Sequence, residues 1–132
     1  MPVEVARALR GALSQVVDAG TAKRVAGSFK LADGTPLAMG GKTGTGDNRI
    51  EAIGAGGRIL SSKSINRTAT FVFYIGDSHF GTLTAYVPGV SAQNFKFTSA
   101  LPVQVLKGMA PFLSPYLQPG SHTQCQPLVT TR

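Results

Sequence analysis

The residues best suited to chemistry are a lysine and two threonines within the segment AMGGKTGTGDNR, residues 38–49. Lys42 brings a fixed positive charge, and Thr43 and Thr45 bring hydroxyl donors close to it. Gly44 lacks a Cβ atom, so the backbone of a bound peptide could lie close to the chain here. A fixed positive charge and hydroxyl donors of this kind can hold a carboxylate and stabilise an oxyanion.

A nucleotide phosphate loop is the first alternative for Gly41-Lys42-Thr43, but the spacing excludes it. That loop has a glycine, then four residues, then Gly-Lys-Ser/Thr. The residue at the required position is Pro36, and the nearest glycine, Gly34, lies two places too early. No helical pattern follows this segment either, so no helix N-terminus is available for a phosphate.

Composition and charge narrow the remaining classes of function. The 13 Lys and Arg residues against 6 Asp and Glu give a formal net charge of +7, which raises nucleic acid or acidic polymers as partners. The basic residues are scattered, so a solvated basic surface is favoured over nucleic-acid binding. Cys125 is single and His79 and His122 are far apart, so we expect no disulfide within the chain, no metal site and no cofactor.

Two helices are predicted, over residues 2–19 and 99–117, from apolar residues that recur every three or four positions. The apolar positions of the first are Val5, Ala6, Leu9, Leu13, Val16 and Val17. The stripe assigned to the second is Leu101, Val105, Met109 and Phe112. Pro111 is expected to interrupt the second helix near its end.

Strands are predicted between the helices. Residues 28–45 indicate two strands around a turn at Asp33-Gly34, and 66–77 and 80–89 are rich in β-branched and aromatic residues. Residues 46–64 contain many glycines and polar groups, so we expect a long loop with a short strand inside. Because 66–77 is apolar on both faces, it predicts a central strand covered on both sides. The fold class is therefore α+β, an antiparallel sheet of about three main strands flanked by N- and C-terminal helices.

One domain is predicted over residues 1–117, followed by a disordered tail over 118–132 that is polar and lacks any period. The N-terminus has no basic region followed by an apolar run, so it does not indicate a signal peptide. No window approaches eighteen apolar residues, and we expect no membrane segment in this chain.

The segment around Lys42 resembles the third active-site motif, Lys-Thr-Gly, of penicillin-binding proteins, the serine acyltransferases that cross-link peptidoglycan. The resemblance extends over roughly residues 2–117. This part of the chain is similar to the C-terminal end of a class A-type transpeptidase domain. The segments that carry it, in the family's order, are GTAKR, GGKTGTGDNR, NRTATFVFYIGD, FGTLTAYVPG and FTSALPVQVLKGMAPFL. It implies part of the fold shared by β-lactamases and transpeptidases.

The resemblance also implies roles for the motif residues. Lys42 would support the electrostatics and proton network of the nucleophile, and Thr43, Gly44 and Thr45 would line the substrate site. The Thr45 hydroxyl would bind the carboxylate of the donor peptide, and its backbone N–H would form half of the oxyanion hole. The implied partners of the intact domain are peptidoglycan stem peptides and β-lactams. The parent protein would act at the periplasmic or cell-envelope face of the inner membrane.

The family's nucleophile motif, Ser-x-x-Lys, is missing from this sequence. The residues three places before the lysines are Gly20, Gly27, Met39, Leu60, Gln93 and Gln104. Ser64-Ile65-Asn66 matches the second motif, Ser-x-Asn, but it follows Lys-Thr-Gly instead of preceding it, and we interpret it as coincidence. We therefore expect a fragment that is inactive alone, whose missing neighbours would leave an apolar face prone to association.

Three other interpretations remain open. The first is a non-catalytic module that binds cell-wall peptides through an exposed edge strand. The second is a small basic nucleic-acid binder, which scattered charge and the lack of a known motif place last. The third is purely structural: the glycines serve a tight turn, and Lys42 is simply solvated.

Overall fold

The computed structural model describes residues 1–118, and the tail predicted over 118–132 lies outside them except for its first residue. Gln118 packs onto the domain: its side-chain carbonyl accepts from the Ala32 N–H at 2.9 Å, and its amide donates to the Ser114 carbonyl at 2.9 Å.

The first helix, α1, spans Val3–Asp18, close to the range predicted from the apolar spacing. Pro2 precedes its first turn, where a missing N–H costs nothing. Just beyond its end, a Cβ atom on Gly20 would lie 2.9 Å from backbone atoms of Val16, so glycine fits the tight exit of the chain. The segment that follows includes a short 3-10 helix, Lys23–Val25.

Three antiparallel strands form one sheet in the order β1-β2-β3, so the predicted α+β class is confirmed. The strands are β1, Met39–Ile53; β2, Ile59–Ile75; and β3, His79–Pro88. β2 is central, as expected, and β1 and β3 are the two edges.

Two predictions about the sheet are wrong. Residues 46–64 are not a long loop, because β1 and β2 continue as a hairpin whose turn lies between Ile53 and Ile59. The glycines and polar residues of this region are tolerated, since each strand satisfies the backbone groups of the other. The strand expected before β1 is reduced to a single bridge between Lys30 and Pro36, and a tight turn joins them.

The turn between Lys30 and Pro36 is held by Asp33, whose Oδ1 accepts from the Thr35 backbone N–H at 2.8 Å. The backbone N–H of Thr35, with its hydroxyl as the second contribution, stabilises the charged form and lowers the pKa of the Asp33 carboxyl below its usual value. This local bond explains why a turn forms at Asp33-Gly34 without flanking strands.

The second helix, α2, spans Ala100–Leu113 and is followed by a short 3-10 helix, Ser114–Leu117. Pro111 lies inside α2 near its end, so it does not break the helix where the sequence predicted. The stripe predicted to face the core is also wrong. Its members are exposed, and the buried positions are Pro102, Val103, Leu106 and Ala110. Because α2 is apolar on nearly every side, its periodicity could not identify the face that meets the sheet.

The core lies between α2 and one face of the sheet, which we call the inner face, defined by Ala69, Phe71 and Ile75 of β2. The segment that leaves α1 contributes Val17, Val25 and Phe29 to the same cluster. We call the opposite side the outer face, defined by Lys42, Val72, Tyr74 and Phe80. Tyr74 is covered by α1 there, but Val72 is half exposed, so the expectation that β2 is covered on both sides holds only in part.

Candidate functional site

The predicted site residues follow one another on the edge strand β1, and the alternation of the strand divides them between two faces. Lys42 and Gly44 pair with Val72 and Thr70 of β2 and belong to the outer face. Thr43 and Thr45 pair with Phe71 and Ala69 and belong to the inner face. The side chains therefore do not converge on one face, and what they share is the free edge of the sheet.

The Thr43 side chain is buried and already has a partner. Its hydroxyl forms a hydrogen bond of 2.6 Å with the hydroxyl of Thr21, which follows α1. The residue is 8% exposed, and its strand neighbour Phe71 is fully buried. Thr43 thus ties the segment after α1 to β1, and its predicted contact with substrate would require that bond to open.

The Thr45 hydroxyl is exposed and lies at the start of α2. Its oxygen accepts a hydrogen bond from the Ser99 backbone N–H at 2.9 Å. A hydroxyl that accepts in this way keeps its own proton to donate. Since Ser99 immediately precedes α2, the positive end of the helix dipole is close to Thr45. This environment favours a negatively charged acceptor at Thr45.

Lys42 is exposed, and its ammonium donates to the Thr43 carbonyl at 2.7 Å. The side chain therefore returns from the outer face to the backbone of its own strand. Within residues 1–118, no carboxylate lies within ion-pair distance of Lys42. Its charge is available to an anion at the β1 edge.

The glycines around Lys42 have two different functions. A Cβ atom on Gly40 would lie 2.5 Å from the Tyr74 ring, so the fold itself excludes a larger residue there. A Cβ atom on Gly44 would meet nothing within 4 Å. The space above Gly44 on the outer face is therefore open.

Arg67 is a structural residue of this region that the sequence analysis missed. Its Nη1 donates to both carboxylate oxygens of Asp47 at 2.9 and 3.0 Å. Its Nε and Nη2 donate to the Phe97 carbonyl at 2.8 and 2.6 Å. Arg67 therefore fastens the hairpin to the loop that presents Ser99 to Thr45. In the sequence, Asp47 and Arg67 are simply an acid and a base 20 positions apart. Their contact could be predicted only from the strand register, which pairs them.

Ser64-Ile65-Asn66 lies on β2, away from the motif. Lys42 pairs with Val72, six residues from Asn66, which corresponds to about 20 Å along the strand. Ser64 is therefore not a neighbour of Lys42. The Asn66 Oδ1 atom is buried and has no hydrogen-bond partner in the described part of the chain.

Neither a metal site nor a membrane-spanning helix is found in residues 1–118. No group of three or more His, Cys, Asp or Glu side chains could hold a metal ion in this range. None of the helices in this range has both the length and the apolar character needed to cross a membrane.

Comparison of the chain with protein-family models, with curated proteins and with solved structures found no match.

Proposed function

We propose that this chain is the C-terminal part of a peptidoglycan D,D-transpeptidase of the penicillin-binding type. In this proposal the β1 edge at Lys42–Thr45 binds the carboxylate end of the donor peptide. The parent protein acts at the periplasmic or cell-envelope face of the inner membrane and reacts with β-lactams.

The observation that carries the proposal is the Thr45 hydroxyl. It accepts from the Ser99 N–H, so its own proton can be donated to a ligand. A carboxylate is the acceptor best suited to this position, because the N-terminal end of α2 and the ammonium of Lys42 both favour negative charge. The open space beside Gly44 leaves room for the peptide that carries the carboxylate.

The binding mode that follows is the addition of a strand. β1 pairs with β2 on one side only, so alternate N–H and C=O groups of β1 face away from the sheet. An extended donor peptide pairs with these groups and places its C-terminus against Thr45. The Thr45 N–H then supplies half of the oxyanion hole, and Lys42 provides the positive charge. Thr43 holds the strand in place through Thr21.

The acyl-transfer step itself needs a serine nucleophile and a base, and the sequence lacks Ser-x-x-Lys. The proposal assigns both to a preceding part of the same domain. This chain alone binds the donor but forms no covalent acyl-enzyme, so a fluorescent penicillin is expected to leave it unlabelled. A longer chain that includes Ser-x-x-Lys would be labelled at that serine.

Peptide binding is the first test. A peptide ending in D-Ala-D-Ala, titrated into ¹⁵N-labelled protein, should shift the amide signals of residues 42–45 in a saturable manner. Thr45→Val keeps the shape of the side chain and removes the donor, so the affinity should fall about tenfold, the loss of one hydrogen bond to a charged group. Lys42→Gln should weaken binding to a similar extent.

Two controls make the result specific. The same peptide with a C-terminal amide lacks the carboxylate and should bind no better to the wild type than to Thr45→Val. Thr82→Val changes an exposed threonine of β3 and should leave the affinity unchanged. If the acid and the amide bind equally, or if the shifts lie away from residues 42–45, the carboxylate site is wrong.

A non-catalytic module that binds cell-wall peptides is the second candidate. The edge position of β1 favours it, because such a module needs an edge strand and no nucleophile. Both candidates predict binding of the peptide, so the genomic reading frame upstream of Met1 distinguishes them. A frame that continues through Ser-x-x-Lys and Ser-x-Asn supports the transpeptidase, and a stop codon there supports the module.

A further inference from the structure

A polar cleft separate from the β1 edge at Lys42–Thr45 lies between the part of the hairpin nearer its turn and the segment that contains the 3-10 helix Val90–Asn94. Its volume is about 260 Å³. The side chains that carry charge or hydroxyl groups into it are Asp47, Arg49, Ser62, Ser64, Arg67 and Lys96. This volume is just below the usual range for small-molecule pockets, so it suits a small ionic group.

The charges of the cleft are not balanced. Asp47 is the acid that lines it, and both of its oxygens accept from Arg67. Arg49 is left with a longer contact of 3.8 Å to the same carboxylate. No carboxylate of residues 1–118 lies within ion-pair distance of Lys96. Three cations therefore line the cleft against one lining anion, Asp47, while a second carboxylate, Glu51, lies at its edge beside Ser62. The remaining positive charge is carried by Arg49 and Lys96.

The hydroxyl groups of the cleft are weakly engaged. Ser62 donates to Glu51 at 3.4 Å, and Ser64 donates to the Asn66 carbonyl at 3.5 Å. Both distances are beyond those of good O–H···O hydrogen bonds. Both hydroxyls are therefore free to turn toward an acceptor in the cleft without losing a strong hydrogen bond.

The geometry points to an oxyanion-binding site in this cleft, for a phosphate or carboxylate group of a small molecule. The planar guanidinium of Arg49 offers two parallel N–H donors, which match the oxygens of either group. Lys96, which also lines the cleft, adds a point charge, and Ser62 and Ser64 add hydroxyl donors. Arg67 stays bound to Asp47 and Phe97 and forms the fixed floor of the site.

This site is separate from the proposed carboxylate site at Thr45. Arg49 lies four residues further along β1, about 13 Å for an extended strand. The pairing of β1 with β2 also shifts register between Asn48 and Arg49, where Ile65 of β2 is the extra residue. The inference therefore does not depend on the transpeptidase proposal.

The test uses ¹⁵N-labelled protein and two probes, inorganic phosphate and acetate, each titrated at constant ionic strength. At least one should produce saturable shifts at residues 49, 62, 64 and 96, with a dissociation constant of about 1 mM. Arg49→Gln and Lys96→Gln should each weaken binding about tenfold, because each removes a charged donor. Which probe binds more tightly identifies the group as phosphate or carboxylate.

Lys63→Gln is the matched control. Lys63 lies between Ser62 and Ser64 on β2, carries the same charge and is exposed, but it does not line the cleft. Its substitution changes the net charge as much as Arg49→Gln does and should leave the affinity within twofold of the wild type. Circular dichroism would confirm that all three variants remain folded.

Three results would overturn the site. One is the absence of saturable shifts with both probes. Another is equal weakening in Lys63→Gln and Arg49→Gln, which would reveal only diffuse attraction to a basic surface. The last is binding of a short single-stranded oligonucleotide, with steep salt dependence, when neither small anion binds.

Discussion

Thr43 and Thr45 lie side by side on the inner face of β1, yet their hydroxyls have different surroundings. Thr43 is buried against Thr21, whereas Thr45 is exposed and accepts from the Ser99 N–H. A hydroxyl that is buried and paired contributes mainly to stability, and one with a free proton can bind a ligand. The two threonines of one short motif are therefore expected to differ in function.

Conservative substitutions separate these two functions. Thr43→Val removes a buried hydrogen bond and should lower the free energy of unfolding by about 1 kcal/mol, measured by urea denaturation. Affinity for the D-Ala-D-Ala peptide should change little. Thr45→Val should reduce affinity and lower stability less than Thr43→Val does, because the hydrogen bond that it removes, from the Ser99 N–H, is exposed and water can replace it. If Thr43→Val weakens peptide binding as much as Thr45→Val at unchanged stability, Thr43 contacts the ligand directly.

Lys42, Thr43, Gly44 and Thr45 could all be chosen from the sequence, because their chemistry is a property of residue type and spacing. Their division between two faces follows from the period of a strand. The partners that distinguish the two threonines, Thr21 and Ser99, could not be predicted. Thr21 lies 22 positions from Thr43, and Ser99 lies 54 positions from Thr45.

The elements of the site are held together by a clamp between the hairpin and the loop before α2. Arg67 donates from one guanidinium to Asp47 and to the Phe97 carbonyl, and its side chain is 17% exposed. Its guanidinium also lies 5.5 Å from the centre of the Phe97 ring. Because Phe97 is two residues from Ser99, this clamp determines where the Ser99 N–H meets Thr45.

Arg67→Lys tests the clamp, because lysine keeps the charge and loses the fork that reaches two acceptors. The free energy of unfolding should fall by about 2 kcal/mol, the order expected when hydrogen bonds to charged groups are lost. Hydrogen exchange at the Ser99 amide should become faster. Arg58→Lys, in the exposed hairpin turn, is the control and should change neither quantity. Slow exchange at Ser99 in Arg67→Lys would show that α2 positions the amide without the clamp.

Sequence patterns predicted an element correctly where the residues of one segment alone indicate its secondary structure. The apolar spacing predicted α1, and the dense β-branched residues predicted β3 and most of β2. The hairpin between Ile53 and Ile59 was missed, because its strands are stabilised by pairing with each other and not by their own propensities. The wrong face of α2 was chosen for a related reason: only the sheet decides which side of an apolar helix is buried.

Over the whole molecule, apolar side chains of α1 and of the outer face remain exposed next to one another. Val3 is 70% exposed, Leu9 is 50% exposed and Phe80 is 78% exposed, and together they border one open apolar depression. Contiguous apolar surface of this kind favours association in water. This exposed surface is therefore a candidate site of self-association.

Phe80→Thr should reduce self-association of the chain. Sedimentation velocity over a range of concentrations should show a larger monomer fraction than the wild type, because the substitution removes much of the exposed apolar surface. Phe112→Thr is the matched control, since Phe112 is 76% exposed but lies on α2, away from the outer face. Equal effects of the two variants would show that the outer face is not the surface responsible.

The sequence by itself determined the class of fold, the position of α1 and the presence of a central strand, and it supplied Lys42–Thr45 as the candidate site. These depend on residue type and on periods of two or 3.6 residues, which are local properties. Only the tertiary structure decided the hairpin, the buried face of α2, the partners of Thr43 and Thr45, and the cationic cleft at Arg49 and Lys96. Each of these depends on contacts between residues distant in the chain, and their geometry is fixed only when the elements pack together.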